Sequence, residues 1–428
     1  MPQIWSMTEK LFQFIWQFRY FNQTDLRLEN GESVQVVLPG QLNQNQGPDF
    51  LNAKIKIGST LWVGHVELHL HSSDWEKHAH TQDKNYRNVI LHVVMENDAR
   101  IEGIEMATLV LHNRVSKILL EKYTEWMRDR SFIPCEKNIL QVPGLVWTSW
   151  KQRILVERLQ RKSVIIRQYL LESHSHWEEI FWWMMAANFG AKVNSGSFEA
   201  IARTLSTAIL ARHKNQVHQL EAMLLGQAGI LEENFREAYP SMLKKEYEFL
   251  RSKYQLKPVY QSVQFLRMRP GNFPTIRLSQ LADLVHRSSH LFSRIKEIRT
   301  INEMKALLEV RANDYWHYHY TFEESSPFRM KALGRQMIEN IMINTIAPVL
   351  YTYGCLHQEE VYSRRAIQWL QETPAETNAL MKKWTTLGLR PENAGDSQAK
   401  LELKSQYCDK KRCLECAVGN ALLKRMAS

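Results

Sequence analysis

One stretch of the chain gathers side chains that bind cations or move protons: Gly47-Pro48-Asp49-Phe50, followed by Gly64-His65-Val66-Glu67-Leu68-His69-Leu70-His71. Side chains alternate along a strand, so His65, Glu67, His69 and His71 would share one face and Val66, Leu68 and Leu70 the other. A solvent-facing strand commonly carries Thr, Lys or Ser, whereas His beside Glu supplies metal ligands or proton-transfer groups. Asp74, His78, His80 and Asp83 follow in a polar stretch that reads either as a turn-rich loop or as the lining of a cleft. A zinc site drawn from His65, His69, His71, His78 or His80 is the alternative, and it requires two or three of these imidazoles to converge.

A second set of candidate ligands closes the chain. Cys408, Cys413 and Cys416 are spaced as in metal or iron–sulfur sites of reducing compartments. A fourth ligand is needed, and Cys355 or Cys135 would supply it, the bound zinc or cluster acting as a structural clamp. Reduced thiols on a terminal helix are the plain alternative. Residues 400–428 also carry seven Lys or Arg against three Asp or Glu, a balance suited to phosphate contact. Arg267, Arg269 and Arg277, around the turn Arg269-Pro270-Gly271-Asn272-Phe273-Pro274, read as a solvated positive loop with phosphate binding as the rival.

The elements that must hold these groups are legible from periodicity. A helix is expected over 8–21 behind Thr8, and strands over 33–38, 50–57, 61–71 and 89–95, the middle two joined by a hairpin turn at Gly58-Ser59-Thr60. Asp49 falls in step with Leu51, which alternation predicts to be buried, so a bend or bulge at Phe50 must redirect it. After Pro134 the period becomes helical, with helices expected over 150–171, 177–189, 198–213, 217–225 and 234–253 and more beyond. Asn194-Ser195-Gly196-Ser197 reads as a turn, and Tyr315 to Tyr320 as an amphipathic strand or a stacking platform. The fold class is α+β by segregation, with an α/β domain over 1–133, a helical domain over 134–265 and a helical region with a Cys-rich end over 266–428.

Composition narrows the partners. The 428 residues are 44% hydrophobic and 23% charged, which excludes disordered and collagen-like chains. Lys and Arg total 55 against 45 for Asp and Glu, a net charge of +10 that favours nucleic acid as partner. Five cysteines do not form an even disulfide framework, the first ten residues lack a basic segment leading into an apolar run, and no apolar stretch approaches the roughly 18 residues of a bilayer span. These features read as a soluble cytoplasmic chain without membrane partners.

Pro48-Asp49 followed by Glu67-Leu68-His69 resembles the PD-(D/E)XK nuclease superfamily, in which an Asp on one strand and an acidic-x-Lys triplet on the next gather divalent metal at a phosphodiester. His69 stands where that family has Lys, and the resemblance implies that it would position or deprotonate water acidified by a metal that also neutralises charge at the phosphate. Gln82-Asp83-Lys84-Asn85-Tyr86 is similar to the Gln-x-x-x-Tyr motif of the RecB-like branch. The resemblance implies a restriction-endonuclease-like domain with a mixed sheet, Asp49 and Glu67 on Mg²⁺ or Mn²⁺, Gln82 and Tyr86 steadying substrate or site, and an iron–sulfur cluster on the C-terminal cysteines. It spans residues 48 to 86 and implies a metal-dependent nuclease or, given His69, a nucleic-acid-binding scaffold without catalysis. Over its full length the chain also resembles an uncharacterised bacterial domain-of-unknown-function family, by Asn45 to Ile55, Gly64 to His69, Arg269 to Pro274 and the Cys-rich end.

Overall fold

The computed structural model describes residues 7–101, 106–257, 259, 261–266, 268–288 and 290–427. The fold is α+β, with a mixed sheet in the N-terminal part followed by helices. The chain divides into two compact units, the first comprising Met1–Gln152, Lys383–Leu389 and Leu401–Ser428, the second Arg153–Lys382 and Arg390–Lys400. The division does not follow chain order, because the end of the chain rejoins the first unit. Tyr20 donates its hydroxyl proton to Asn420 Oδ1 at 2.6 Å, and Ser116 Oγ donates to the Met426 carbonyl at 2.9 Å.

In the first unit, helix α1 (Glu9–Phe18) starts where Thr8 Oγ1 accepts the Leu11 N–H at 3.2 Å, and it buries Leu11, Phe12, Ile15 and Trp16. Seven strands follow: β1 (Leu26–Arg27), β2 (Ser33–Leu38), β3 (Gln41–Leu42), β4 (Phe50–Ile57), β5 (Thr60–His71), β6 (Val89–Glu96) and β7 (Thr108–Val110). Their spatial order is β1-β2-β4-β5-β6-β7, with β3 beside β4. The pairings β2 to β4 and β4 to β5 are antiparallel, whereas β6 runs parallel to β5 and β7 parallel to β6. A parallel neighbour cannot be reached by a tight turn, so the chain between β5 and β6 must cross over the sheet. Helix α2 (Asp74–Lys77) and two 3₁₀ turns, His80–Gln82 and Lys84–Tyr86, form that crossover.

The parity conflict at Asp49 is resolved by a bulge. Phe50 faces Val66 and Ala53 faces Gly64, so Leu51 and Asn52 together oppose the single residue His65. Asn52 takes φ +57°, the left-handed conformation that Asn tolerates better than most residues. The extra residue inverts the alternation: Phe50 turns into the core, Leu51 is only half-buried, and Asp49 swings to the side that carries Glu67. Both sides of β5 are covered at this level, since Val66 and Leu68 are buried and Glu67 and His69 are 5% and 1% exposed. The expected polar stripe is therefore an interior surface beneath the crossover.

The second unit is helical. Trp182 and Met185 on the helix Trp177–Phe189 pack the core, the Trp182 indole donating to the carbonyls of Ala202 and Leu205. Two expectations fail here. Asn194 to Ser197 lies inside the helix Ala191–Thr204 rather than in a turn, because its polar groups are taken by a neighbouring segment: Asn194 Nδ2 donates to the Gln264 carbonyl and Ser197 Oγ to that of Ser262. Tyr315 to Tyr320 holds a short helix, Asp314–His317, capped by Asn313, and not a strand. Among the described residues no helix is long and apolar enough to cross a membrane.

The bulge yields a test. Asn52→Val, which places a β-branched residue at positive φ, is expected to cost about 1–2 kcal/mol in urea unfolding, whereas Asn52→Gly stays near wild type. Equal losses for the two variants would show that the left-handed backbone does not hold the bulge.

Candidate metal centre

The crossover is pinned before it reaches the site. The Asp98 carboxylate accepts from the Ser73 N–H at 2.9 Å and from the hydroxyls of Ser73 and Ser72 at 2.8 and 3.0 Å, and the Ser73 bonds hold its pKa down at about 2. Asp74 accepts from the His71 N–H at 3.2 Å and from Lys77 at 2.6 Å. Trp75 is then buried, its indole donating to Thr81 Oγ1 at 3.2 Å, and its edge-on contacts with His69 and His80 form an apolar backing.

Above Trp75, three imidazoles from two elements meet. His69 Nε2 on β5 stands 3.2 Å from Nδ1 of His78, which follows α2, and the His69 and His80 rings lie nearly parallel with centroids 5.2 Å apart. Ligand atoms of His69, His78 and His80 all lie within 4.8 Å of one another. Glu67 completes the group: its Oε1 is 3.6 Å from His69 Nε2 and 3.4 Å from His80 Nε2. A tetrahedral zinc site with bonds of about 2.0–2.1 Å places its ligand atoms roughly 3.3 Å apart, so these separations need little adjustment to enclose an ion. His78 is exposed and gives the group an open side.

Behind the ligands stands a second set of contacts. His69 Nδ1 is 2.9 Å from Nε2 of His92, which is fully buried on β6 directly beside Glu67 in the parallel register. That contact fixes the His69 ring, the role that partners of metal-bound histidines fill. Burial, then the neighbouring imidazoles, push the pKa of His69 down to about 3, and burial followed by His80 pushes that of His92 to about 4. Both rings are neutral at physiological pH, the form whose lone pair binds metal.

Asp49 secures Glu67. Its N–H donates to Glu67 Oε2 at 2.9 Å, while its own carboxylate accepts from the Leu68 N–H at 3.2 Å and from Gln13 Nε2 at 2.7 Å. Burial and the adjacent Glu67 charge raise Asp49 to about 7, against the lowering effect of those two hydrogen bonds. The two carboxylates thus lie on one side of the sheet and feel each other. Both Asp49 oxygens are engaged, however, and Glu67 Oε1 is the oxygen aimed at the imidazoles.

The other expected residues divide. Tyr86 belongs to the site: its ring stacks on His80 at 3.8 Å, and burial, followed by the charges of Glu67 and Asp49, raises its phenol. Gln82 does not, being exposed on its 3₁₀ turn. His65 accepts the Asn52 N–H at the bulge, and His71 lies 3.8 Å from Glu96, so neither joins the trio. His92 and Gln13 were not anticipated. The one signal for His92 is a lone imidazole interrupting an apolar strand.

The cysteines divide between the two units. Cys355 is exposed on the helix Ala347–Leu356 in the second unit, while Cys408, Cys413 and Cys416 lie in the first. Cys135 is buried in the first unit, and its thiol pKa is raised by burial first and then by Cys416 and Cys413. Cys408 is likewise raised by burial and then by Cys416, Cys135 and Cys413. Burial raises the Cys416 thiol as well, against the lowering effect of the Gly419 and Val418 N–H groups. The four thiols of the first unit thus raise one another's pKa values where the chain end packs back onto that unit.

No curated protein and no solved structure matches this sequence. The family match stops short of the Cys-rich end: residues 9–379 match the family described as Protein of unknown function (DUF2851), and the chain belongs to that family.

Proposed function

We propose that this protein is a metal-dependent hydrolase of phosphodiester bonds in DNA or RNA, its metal held by Glu67, His69, His78 and His80. The observation that carries the reading is the convergence of three imidazoles whose ligand atoms lie within 4.8 Å of one another, with Glu67 Oε1 3.6 and 3.4 Å from two of them. Burying ionisable groups costs several kcal/mol each unless they are paired or bind metal, while a whole domain is stable by only about 5–15 kcal/mol. A cluster of this kind is therefore poorly explained as a device for stability.

The ligand set selects the metal. Imidazoles suit zinc and other transition ions, whereas Mg²⁺ demands oxygen ligands in octahedral array. With both Asp49 oxygens hydrogen-bonded, the carboxylate-pair site for Mg²⁺ gives way to a zinc or manganese site built on Glu67 and the histidines. Bound there, the metal would lower the pKa of water to about 7 and polarise a phosphoryl oxygen. Asp49 acts as a positioning residue for Glu67, and Tyr86 holds the His80 ring.

The placement of Asp49 before β4 and of Glu67-Leu68-His69 on adjacent β5 supports the likeness to PD-(D/E)XK nucleases. The departure at His69 is accounted for in the same terms: buried and neutral, it offers a lone pair where Lys would offer a charge. Nucleic acid as substrate is favoured by the net charge of +10.

Two measurements test this reading. Zn²⁺ at a hundredfold excess over its Kd is expected to stabilise the wild type by about 2.7 kcal/mol. His78→Ala, whose exposed side chain contributes little packing, should abolish that gain. Metal-dependent cleavage of labelled single- and double-stranded DNA and RNA should vanish in Glu67→Ala and fall by about 10–100-fold in Asp49→Asn and His92→Phe. Cleavage by Glu67→Ala at the wild-type rate would refute the assignment, and salt-sensitive binding without turnover would favour a scaffold.

The three closely spaced C-terminal cysteines and Cys135, all in the first unit, support a second, structural centre. We propose that Cys135, Cys408, Cys413 and Cys416 hold zinc or an iron–sulfur cluster that ties the chain end to the sheet unit. Cys135→Ser should release metal during anaerobic purification while Cys355→Ser retains it, as read by elemental analysis and visible absorbance. The reverse pattern would contradict the assignment.

A further inference from the structure

The second unit contains a cavity of about 880 Å³ whose lining includes Arg269, Arg277, Gln280, Arg329, Lys331 and Asn340. Arg277 sits in the first turn of the helix Pro274–Arg287, just after the breaker cluster, and is 8% exposed, so the expectation of a solvated loop fails for it. Arg269 is exposed, and Arg267 lies outside the described residues. The Arg277 guanidinium donates from Nη1 to Gln280 Oε1 at 2.9 Å and from Nη2 to Asn272 Oδ1 at 2.6 Å, and its buried Nε–H has no acceptor. Both partners are neutral amides.

Lys331 enters the same wall. It is 5% exposed, donates from Nζ to the His317 carbonyl at 3.0 Å and stands 4.0 Å above the Tyr320 ring. Arg269 and Arg329 are exposed at the margin of the cavity. None of the four cations has an ion-pair partner among the described residues. Desolvation holds Arg277 down at about 10 and lowers Lys331, with Arg329 adding repulsion to the latter.

Buried cations in folded proteins are paired, because an uncompensated one costs far more than an amide contact returns. Four cations around one void lack only a counter-charge. A single carboxylate neutralises one of them, while a phosphate group brings up to two charges and several acceptor oxygens that match the guanidinium fork. The void is larger than inorganic phosphate alone requires, which leaves room for the organic part of a phosphorylated molecule.

We infer that this cavity is a phosphate-binding site, with Arg277 and Lys331 in its buried wall and Arg269 and Arg329 at its margin, taking the phosphate of a free nucleotide or of a nucleic-acid backbone. The assignment stands independently of the metal centre in the first unit, since it uses none of the same residues.

The test uses the full chain in EDTA, so that hydrolysis cannot intervene, and measures binding of inorganic phosphate, adenosine monophosphate and a fluorescein-labelled 12-mer single strand. Wild type should bind at least one probe saturably. Arg329→Gln, an exposed position that leaves folding intact, should weaken binding at least tenfold, and Arg277→Gln more. Binding of phosphate and the nucleotide assigns a free ligand, and binding of the 12-mer alone assigns the backbone. The inference is overturned if no probe binds wild type, or if Arg329→Gln binds as wild type does. Should Arg277→Gln fail to fold, Arg329→Gln and Arg269→Gln decide the matter.

Discussion

A carboxylate and several imidazoles taken out of water on one sheet face must be compensated by one another, by hydrogen bonds or by a cation, and the first unit is organised around that requirement. Glu67 and His69 lie beneath the β5–β6 crossover because a parallel neighbour strand forces the chain to pass over the sheet. What passes over them brings His78, His80 and Tyr86. The topology that buries the ionisable face thus also supplies the groups that satisfy it, and the neutral state of His69 and His92 follows from the same burial.

Precision in the site comes from small backbone events. One extra residue in β4, with Asn52 in the left-handed region, decides whether Asp49 faces the aliphatic core or Glu67. Gln13 from α1 then caps the Asp49 carboxylate, so the first helix reaches the site as well as packing the sheet. Each contact orients the next: Gln13 holds Asp49, Asp49 holds Glu67, and His92 holds His69.

Much of this was legible in the residue pattern. Alternation located β2 and β4 to the residue, and it placed Asp49, Glu67 and His69 on neighbouring strands with a distortion required near Phe50. The losses have physical reasons. His92 reads as an interruption because its partner His69 becomes adjacent only through parallel register, which local periodicity does not encode. Gln82 satisfies a two-letter motif yet faces solvent, since a motif fixes spacing and not direction. The return of the chain end to the first unit, where Cys135 lies, is a contact across hundreds of residues with no periodic signature. Arg277 looked like a loop cation because the Pro-Gly-Asn breaker hides the helix start that buries it.

The central claim is that Glu67, His69, His78 and His80 enclose one transition-metal ion. Anomalous diffraction at the zinc edge from crystals of the full chain grown with Zn²⁺ tests it most directly. The account predicts a peak about 2.0–2.2 Å from Glu67 Oε1 and from a ring nitrogen of each of the three histidines. A map with no peak there, or with density confined to the cysteines, would contradict it.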